Sequence, residues 1–158
     1  MKTIIVGLGN PILGDDGVGW KVAEEIRQHL PEGSHVDVVC LSVGGLSLME
    51  HLIGYDRAIL VDAFIADAED VGSILIRKLN ELPNYSAFHI TSTHDTSLQN
   101  AIQLGKEMGA KLPEEVLVIG VAIRRIHEFG EELSKPVMET VLPAAHIALN
   151  FFKEYVKD

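Results

Sequence analysis

The chain opens on the apolar run Ile4-Ile5-Val6, enters a glycine turn at Gly7-Leu8-Gly9-Asn10-Pro11, and reaches two adjacent carboxylates, Asp15-Asp16, just before Gly17-Val18-Gly19. A strand, a glycine turn and a helix in that order form the first unit of an α/β fold. The turn constrains chemistry as well as architecture. Backbone N–H groups at a helix start attract anions. Two carboxylates placed there would repel a phosphate, so the position suits a cation or a proton-transfer role instead.

The remaining chain keeps alternating. Val18, Val22, Ile26 and Leu30 share one face of a helix predicted from Gly17 to Leu30, and Leu30-Pro31-Glu32-Gly33 stops it. Strands are predicted at 3–8, 36–41, 58–61 (ending at Asp62), 73–77 and 116–123. A short helix follows Gly44-Gly45, with Leu46, Met49, Leu52 and Ile53 inward. Another starts near Ser97, burying Leu98, Ala101, Ile102 and Met108, and a last one starts near Pro136, burying Val137, Val141, Ala145, Ala148, Leu149 and Phe152. Residues 80–93 read as a long irregular loop, a place where function concentrates. The pattern predicts one α/β domain over 1–158: a three-layer sandwich with a mostly parallel, twisted sheet of about five strands and helices on both faces. Ligands of such sheets bind outside the carboxyl ends of the strands. Asp15-Asp16, Asp62 and His94-Asp95 all come after strand ends or lie in the long loop, so they can converge there.

Bulk properties narrow the function. A chain of 158 residues that is 47% hydrophobic can bury a core without covalent staples. Its formal charge of -10 argues against nucleic acid and against an anionic membrane surface. No apolar run approaches the roughly 20 residues needed to cross a bilayer. Cys40 is the one cysteine, which excludes a disulfide framework and a cysteine-rich zinc site. Met1-Lys2 leads straight into a strand rather than a secretory apolar region, so the cytoplasm is the expected location. With no heptad pattern and no long apolar edge, a monomer is expected.

Several motifs are set aside. The opening departs from a dinucleotide fingerprint, because Ile12 stands at its last position and Pro11 removes a backbone donor. Gly7-Leu8-Gly9-Asn10-Pro11 also resembles the opening of bacterial peptidyl-tRNA hydrolases. The Thr-Arg-His-Asn segment of that family is here Gly14-Asp15-Asp16-Gly17-Val18-Gly19, without a histidine. Cys40 reads as a small residue of an apolar strand. His29, His35, His51, His127 and His146 show no metal-like spacing. Arg124-Arg125 reads as solvent-exposed and Trp20 as packing for the first helix. No Ser–His–Asp or Cys–His arrangement and no H-E-x-x-H signature is present.

Three polar positions remain. Asp16 can cap the first helix, and so can Asp15, but one helix start needs one cap, which leaves a carboxylate free for chemistry. Asp62 can be a site residue or can bond loop amides. His94 lies in Thr91-Ser92-Thr93-His94-Asp95-Thr96-Ser97, where polar residues can also cap the next helix. Taken together, two aspartates and one imidazole from three separate segments make an open three-ligand site for a divalent cation such as nickel, zinc or iron.

With these residues the chain resembles the hydrogenase maturation proteases, the C-terminal endopeptidases of [NiFe]-hydrogenase large subunits. The family's Gly-x-Gly-Asn opening and acidic pair before Gly-x-Gly match Gly7-Leu8-Gly9-Asn10 and Asp15-Asp16-Gly17-Val18-Gly19. Its second acidic position matches Leu60-Val61-Asp62-Ala63, and its histidine matches Ser92-Thr93-His94. One turn departs: many members carry Asp-x-Gly-Thr after the second strand, where this chain has Cys40-Leu41-Ser42-Val43-Gly44-Gly45. The resemblance implies that Asp16, Asp62 and His94 recognise nickel already loaded into the large-subunit precursor. It implies that the enzyme then removes the precursor's C-terminal extension. It also implies that the same three residues serve catalysis, either through a metal-polarised carbonyl or water or through a carboxylate such as Asp16 activating water. Asp15 is expected to matter less, through capping. The competing expectation is a non-catalytic, nickel-dependent binding protein or chaperone for the precursor.

Overall fold

Strand β1 (Thr3–Leu8) is buried along its whole length and lies between two parallel neighbours, β2 (Val36–Leu41) and β3 (Arg57–Ile65). In this computed structural model residues 1–83, 85, 96–125 and 128–156 are described. Strand β5 (Glu115–Ile123) pairs parallel with β3, and β4 (Ile74–Lys78) closes the sheet antiparallel to β5. The order β2-β1-β3-β5-β4 puts the most apolar strands, β1, β3 and β5, in the interior of the sheet, where both faces are covered.

Among the described residues five α-helices flank the sheet: α1 (Val18–His29), α2 (Gly45–Leu52), α3 (Leu98–Glu107), α4 (Lys135–Met138) and α5 (Val141–Val156). The period-2 alternation of the strands divides the core in two. Ile5, Ile59, Val61, Ile119 and Val121 pack with Val18, Val22 and Ile26 of α1 and with Ala145 and Ala148 of α5. Ile4, Val6, Ala58, Leu60 and Val118 pack on the other face with Leu48 and Leu52 of α2 and with Leu98 and Ala101 of α3. The three-layer sandwich expected from the sequence is the observed architecture.

Local expectations differ from the structure at several places. The two carboxylates sit on the turn before the first helix, as expected; that turn is a 3-10 turn at Gly14–Gly17, and α1 begins one residue later than expected, at Val18. Leu46, Ile53 and Met108 were expected inward and are exposed, because α2 and α3 are short and turn only one narrow stripe to the sheet. The last helix is two helices, split at residues 139–140. Strand β3 does not stop at Asp62: the ladder to β5 continues through Ile65↔Ile123, so Asp62 lies inside the strand, opposite Gly120. No helix among the described residues is long and apolar enough to cross a membrane.

Candidate active site

The glycine turn is built by local hydrogen bonds. Asn10 and Pro11 hold the first two places of a β-turn closed by Leu13 N–H donating to Asn10 O at 3.1 Å, as their residue types favour. The Asn10 side chain accepts from Ile12 N–H at 3.1 Å. Asp16 then folds back: its Oδ2 accepts from Asn10 N–H at 2.8 Å. Neither aspartate caps α1, whose N-cap is Gly17 with no side-chain bond. Asp15 instead reaches across the fold, with Oδ1 accepting from Ser134 N–H and Oδ2 from Ser134 Oγ–H, each at 2.7 Å. The capping role expected for these carboxylates is therefore replaced by two longer-range jobs. Short side chains at a 3-10 turn point toward neighbouring loops and away from the α1 amides.

Two glycines let Asp16 approach the sheet. Gly9 has φ 137°, and a Cβ there would lie 2.0 Å from Asp16 O. Gly19 lets α1 start directly over the strands, since its Cβ would lie 2.3 Å from Leu8 O and 2.4 Å from Val61 O. The start of α1 and the turn before it are thus pressed onto the carboxyl end of β1 and the middle of β3. The turn after β2 braces the same place: Ser42 Oγ–H donates to Gly9 O at 2.6 Å, and Leu41 O accepts from Trp20 Nε1–H at 3.1 Å and from Gly9 N–H at 3.2 Å. Where many relatives by resemblance carry an acidic residue, this turn performs a supporting role through a serine hydroxyl.

Asp62 comes after Ala58 and Leu60 on the face of β3 covered by α2 and α3, and is only 3% exposed. Its Oδ1 accepts from Ala63 N–H at 2.9 Å and its Oδ2 from the Tyr85 hydroxyl at 2.8 Å. Burial pushes the Asp62 carboxyl well above the usual range. The two hydrogen bonds oppose that shift and the nearby Asp16 charge adds to it. Asp16 and Asp62 are therefore within electrostatic reach of each other, as the strand order predicts. Tyr85 is raised well above its ordinary value by burial and by the Asp62 charge, so it remains a hydroxyl donor. His94 lies outside the described residues. The chain on either side of it is described: Tyr85 sits against Asp62, Tyr85 O accepts from Leu98 N–H at 3.0 Å, and Thr96 O packs against Gly45 at the start of α2.

Other residues weighed in the sequence have their own surroundings, and His127 lies outside the described residues. Burial raises the Cys40 thiol, which is unsuited to a thiolate nucleophile. His29 and His51 bond to backbone carbonyls of their own helices, Glu25 O and Ser47 O. Arg124 and Arg125 are exposed. Tyr85, Ser42 and Ser134 were not singled out from sequence. Of these only Ser134 carried a signal, a serine just before a Lys-Pro helix start.

A family model described as hydrogenase maturation protease matches residues 20–151. The chain belongs to the hydrogenase maturation protease family. The hydrogenase expression/formation protein HoxM of Azotobacter vinelandii is 31% identical over 153 residues, spanning 96% of this chain and 72% of that protein. The hydrogenase 2 maturation protease of Escherichia coli is 23% identical over 150 residues, spanning 91% of this chain and 90% of that protein. Among solved structures, the hydrogenase maturating endopeptidase HybD from E. coli superposes with a TM-score of 0.76. It is 23% identical and covers 98% of this chain and 94% of that one, which supports the shared fold. The [NiFe] hydrogenase maturation protease HybD from Thermococcus kodakarensis has a TM-score of 0.62 at 25% identity, covering 96% and 99%. This maturation protease is thus an endopeptidase acting on hydrogenase precursors, with the Asp16 and Asp62 carboxylates within electrostatic reach of each other.

Proposed function

We propose that this protease removes the C-terminal extension of a nickel-loaded [NiFe]-hydrogenase large-subunit precursor, using Asp16, Asp62 and His94. The observation that carries this reading is the Asp16–Asp62 pair, brought together by the turn after β1 and by the neighbouring strand β3. Two carboxylates and an imidazole form a donor set suited to a borderline divalent ion such as nickel. Asp62 turns both oxygens to hydrogen-bond donors, and Asp16 Oδ1 accepts none among the described residues, so Asp16 offers the more available oxygen. Nickel carried by the precursor would supply a Lewis acid and a positioning contact there. The protease itself contributes a buried carboxyl held toward its neutral form beside a second carboxylate, an arrangement that suits proton transfer at a peptide bond. Recognition through the client's own metal makes processing conditional on loading. In this reading the enzyme activates the hydrogenase, belongs to the aspartic type only in the broad sense of using carboxylates, and works as a cytoplasmic monomer.

The test is the intact mass of an authentic precursor incubated with the protease, with and without nickel loading. Loss of a C-terminal peptide from the loaded form alone is the expected result. Cleavage independent of nickel would remove the metal-recognition role. Unimpaired cleavage by Asp16→Ala, Asp62→Ala or His94→Ala would remove that residue from the site.

A further inference from the structure

Beyond β5 the chain returns to the glycine turn and binds to it. Leu13 and Gly130 form a parallel bridge, with Gly130 N–H donating to Ile12 O at 2.8 Å and Gly14 N–H donating to Gly130 O at 2.7 Å. Asp15 clasps the same strap at Ser134 through its two 2.7 Å bonds, and Leu133 anchors it in the core. The turn that carries Asp16 and the strap at 128–134 are consequently one unit. The bridge register puts Ile12 beside Phe129. Both are solvent-exposed, Ile12 at 48% and Phe129 at 82%.

Single exposed apolar residues are ordinary on a protein surface, but large side chains set side by side at a site ask for an occupant. Leu46, in the first turn of α2, and Ile65, at the end of β3, are exposed on this same edge of the sheet. The charges on the strap around Phe129 are all acidic up to Ser134: Glu128, Glu131 and Glu132, each exposed. In the reading given above the client's scissile segment lies beside Asp16, on the same turn as Ile12, and that turn is tied to the strap that carries Phe129.

We infer that Ile12 and Phe129 form an apolar lip that holds the hydrogenase precursor's polypeptide beside Asp16, taking an apolar side chain flanked by Lys or Arg. The inference rests on the reading of Asp16 given above. The lip grips the chain near the cut while the carboxylates act on the bond. Because the bridge and the Asp15–Ser134 clasp join lip to carboxylate, the grip also sets the register of the peptide.

The experiment compares cleavage of the nickel-loaded precursor by wild type, Ile12→Asn, Phe129→Ser and Met108→Ser. Met108 is 79% exposed at the far end of α3 and serves as the control. Each lip variant should raise KM on the order of tenfold with little change in kcat, as loss of an interface anchor does. Added salt should raise the wild-type KM as well. Unchanged KM in both lip variants, or an equal rise in Met108→Ser, would overturn the lip. Precursor affinity is also measured in an Asp62→Ala background, with and without Phe129→Ser. Weaker binding with Phe129→Ser supports the lip without reference to cleavage, and equal binding overturns it. Continued cleavage by Asp62→Ala would count only against the reading of the carboxylates.

Discussion

The Tyr85 hydroxyl donates to Asp62 Oδ2 across 2.8 Å, inside the face of β3 that α2 and α3 cover. The aromatic ring belongs to the apolar packing around that face, so removing the hydroxyl leaves the ring's contacts in place. Tyr85→Phe should therefore fold, lose about 1–2 kcal/mol of stability from the unpaired buried oxygen, and raise the Asp62 carboxyl further. Processing should slow by about tenfold for each 1.4 kcal/mol of lost positioning. Thermal unfolding and a precursor-cleavage time course measure the two effects separately.

Asp62 is a stability liability at neutral pH. Its folded pKa lies above the unfolded value, so the native state binds the extra proton and stability falls as pH rises from the ordinary carboxylate range through the folded pKa. Asp62→Asn removes this charge while its amide can keep both neighbours, accepting from Ala63 N–H and donating to the Tyr85 oxygen. The variant should have a higher Tm than wild type at pH 7, a flatter stability profile above about pH 4, and no processing activity. A lower Tm at pH 7 would show that the ionised carboxylate is stabilised in the native state.

Asp15 is a clasp. Asp15→Ala loses both bonds to Ser134, whereas Ser134→Ala loses only the hydroxyl bond and keeps Ser134 N–H on Asp15 Oδ1. The expected costs are about 1–2 kcal/mol for the first and about half of that for the second, with the double variant no worse than Asp15→Ala alone. Denaturant melts of the four proteins check the cycle. Precursor cleavage should fall in the same order, because the clasp holds the turn that carries Asp16.

Gly19 is a contact between helix and sheet. A methyl group there would meet Leu8 O at 2.3 Å and Val61 O at 2.4 Å, both backbone atoms that cannot step aside. Gly19→Ala should cost about 1–3 kcal/mol and lift the start of α1 from the strand ends. Gly33→Ala, where nothing lies within 4 Å of the new carbon, measures the cost of positive φ (76° at Gly33) without a clash. A clash signature is a larger loss at Gly19 than at Gly33 together with impaired cleavage.

The chain's periodicity by itself determined the architecture. Runs such as Ile4-Ile5-Val6 and Val116–Ile123, apolar on both faces, require a sheet covered twice, and the 3.6-residue stripes of α1, α3 and α5 supply the covers. The nearness of Asp16 to Asp62 was legible for the same reason, because neighbouring parallel strands bring the turn after β1 close to the later part of β3. The partners of those carboxylates were not legible. Tyr85 is 23 residues from Asp62 and Ser134 is 119 from Asp15, and no local pattern encodes a hydrogen bond across such separations. The depth of Asp62 was also hidden, since it depends on β5 pairing past it to Ile123. Local sequence sets which groups are present and which face each occupies. Only the folded packing decides which donors reach a carboxylate, how dry it is, and hence what proton it holds.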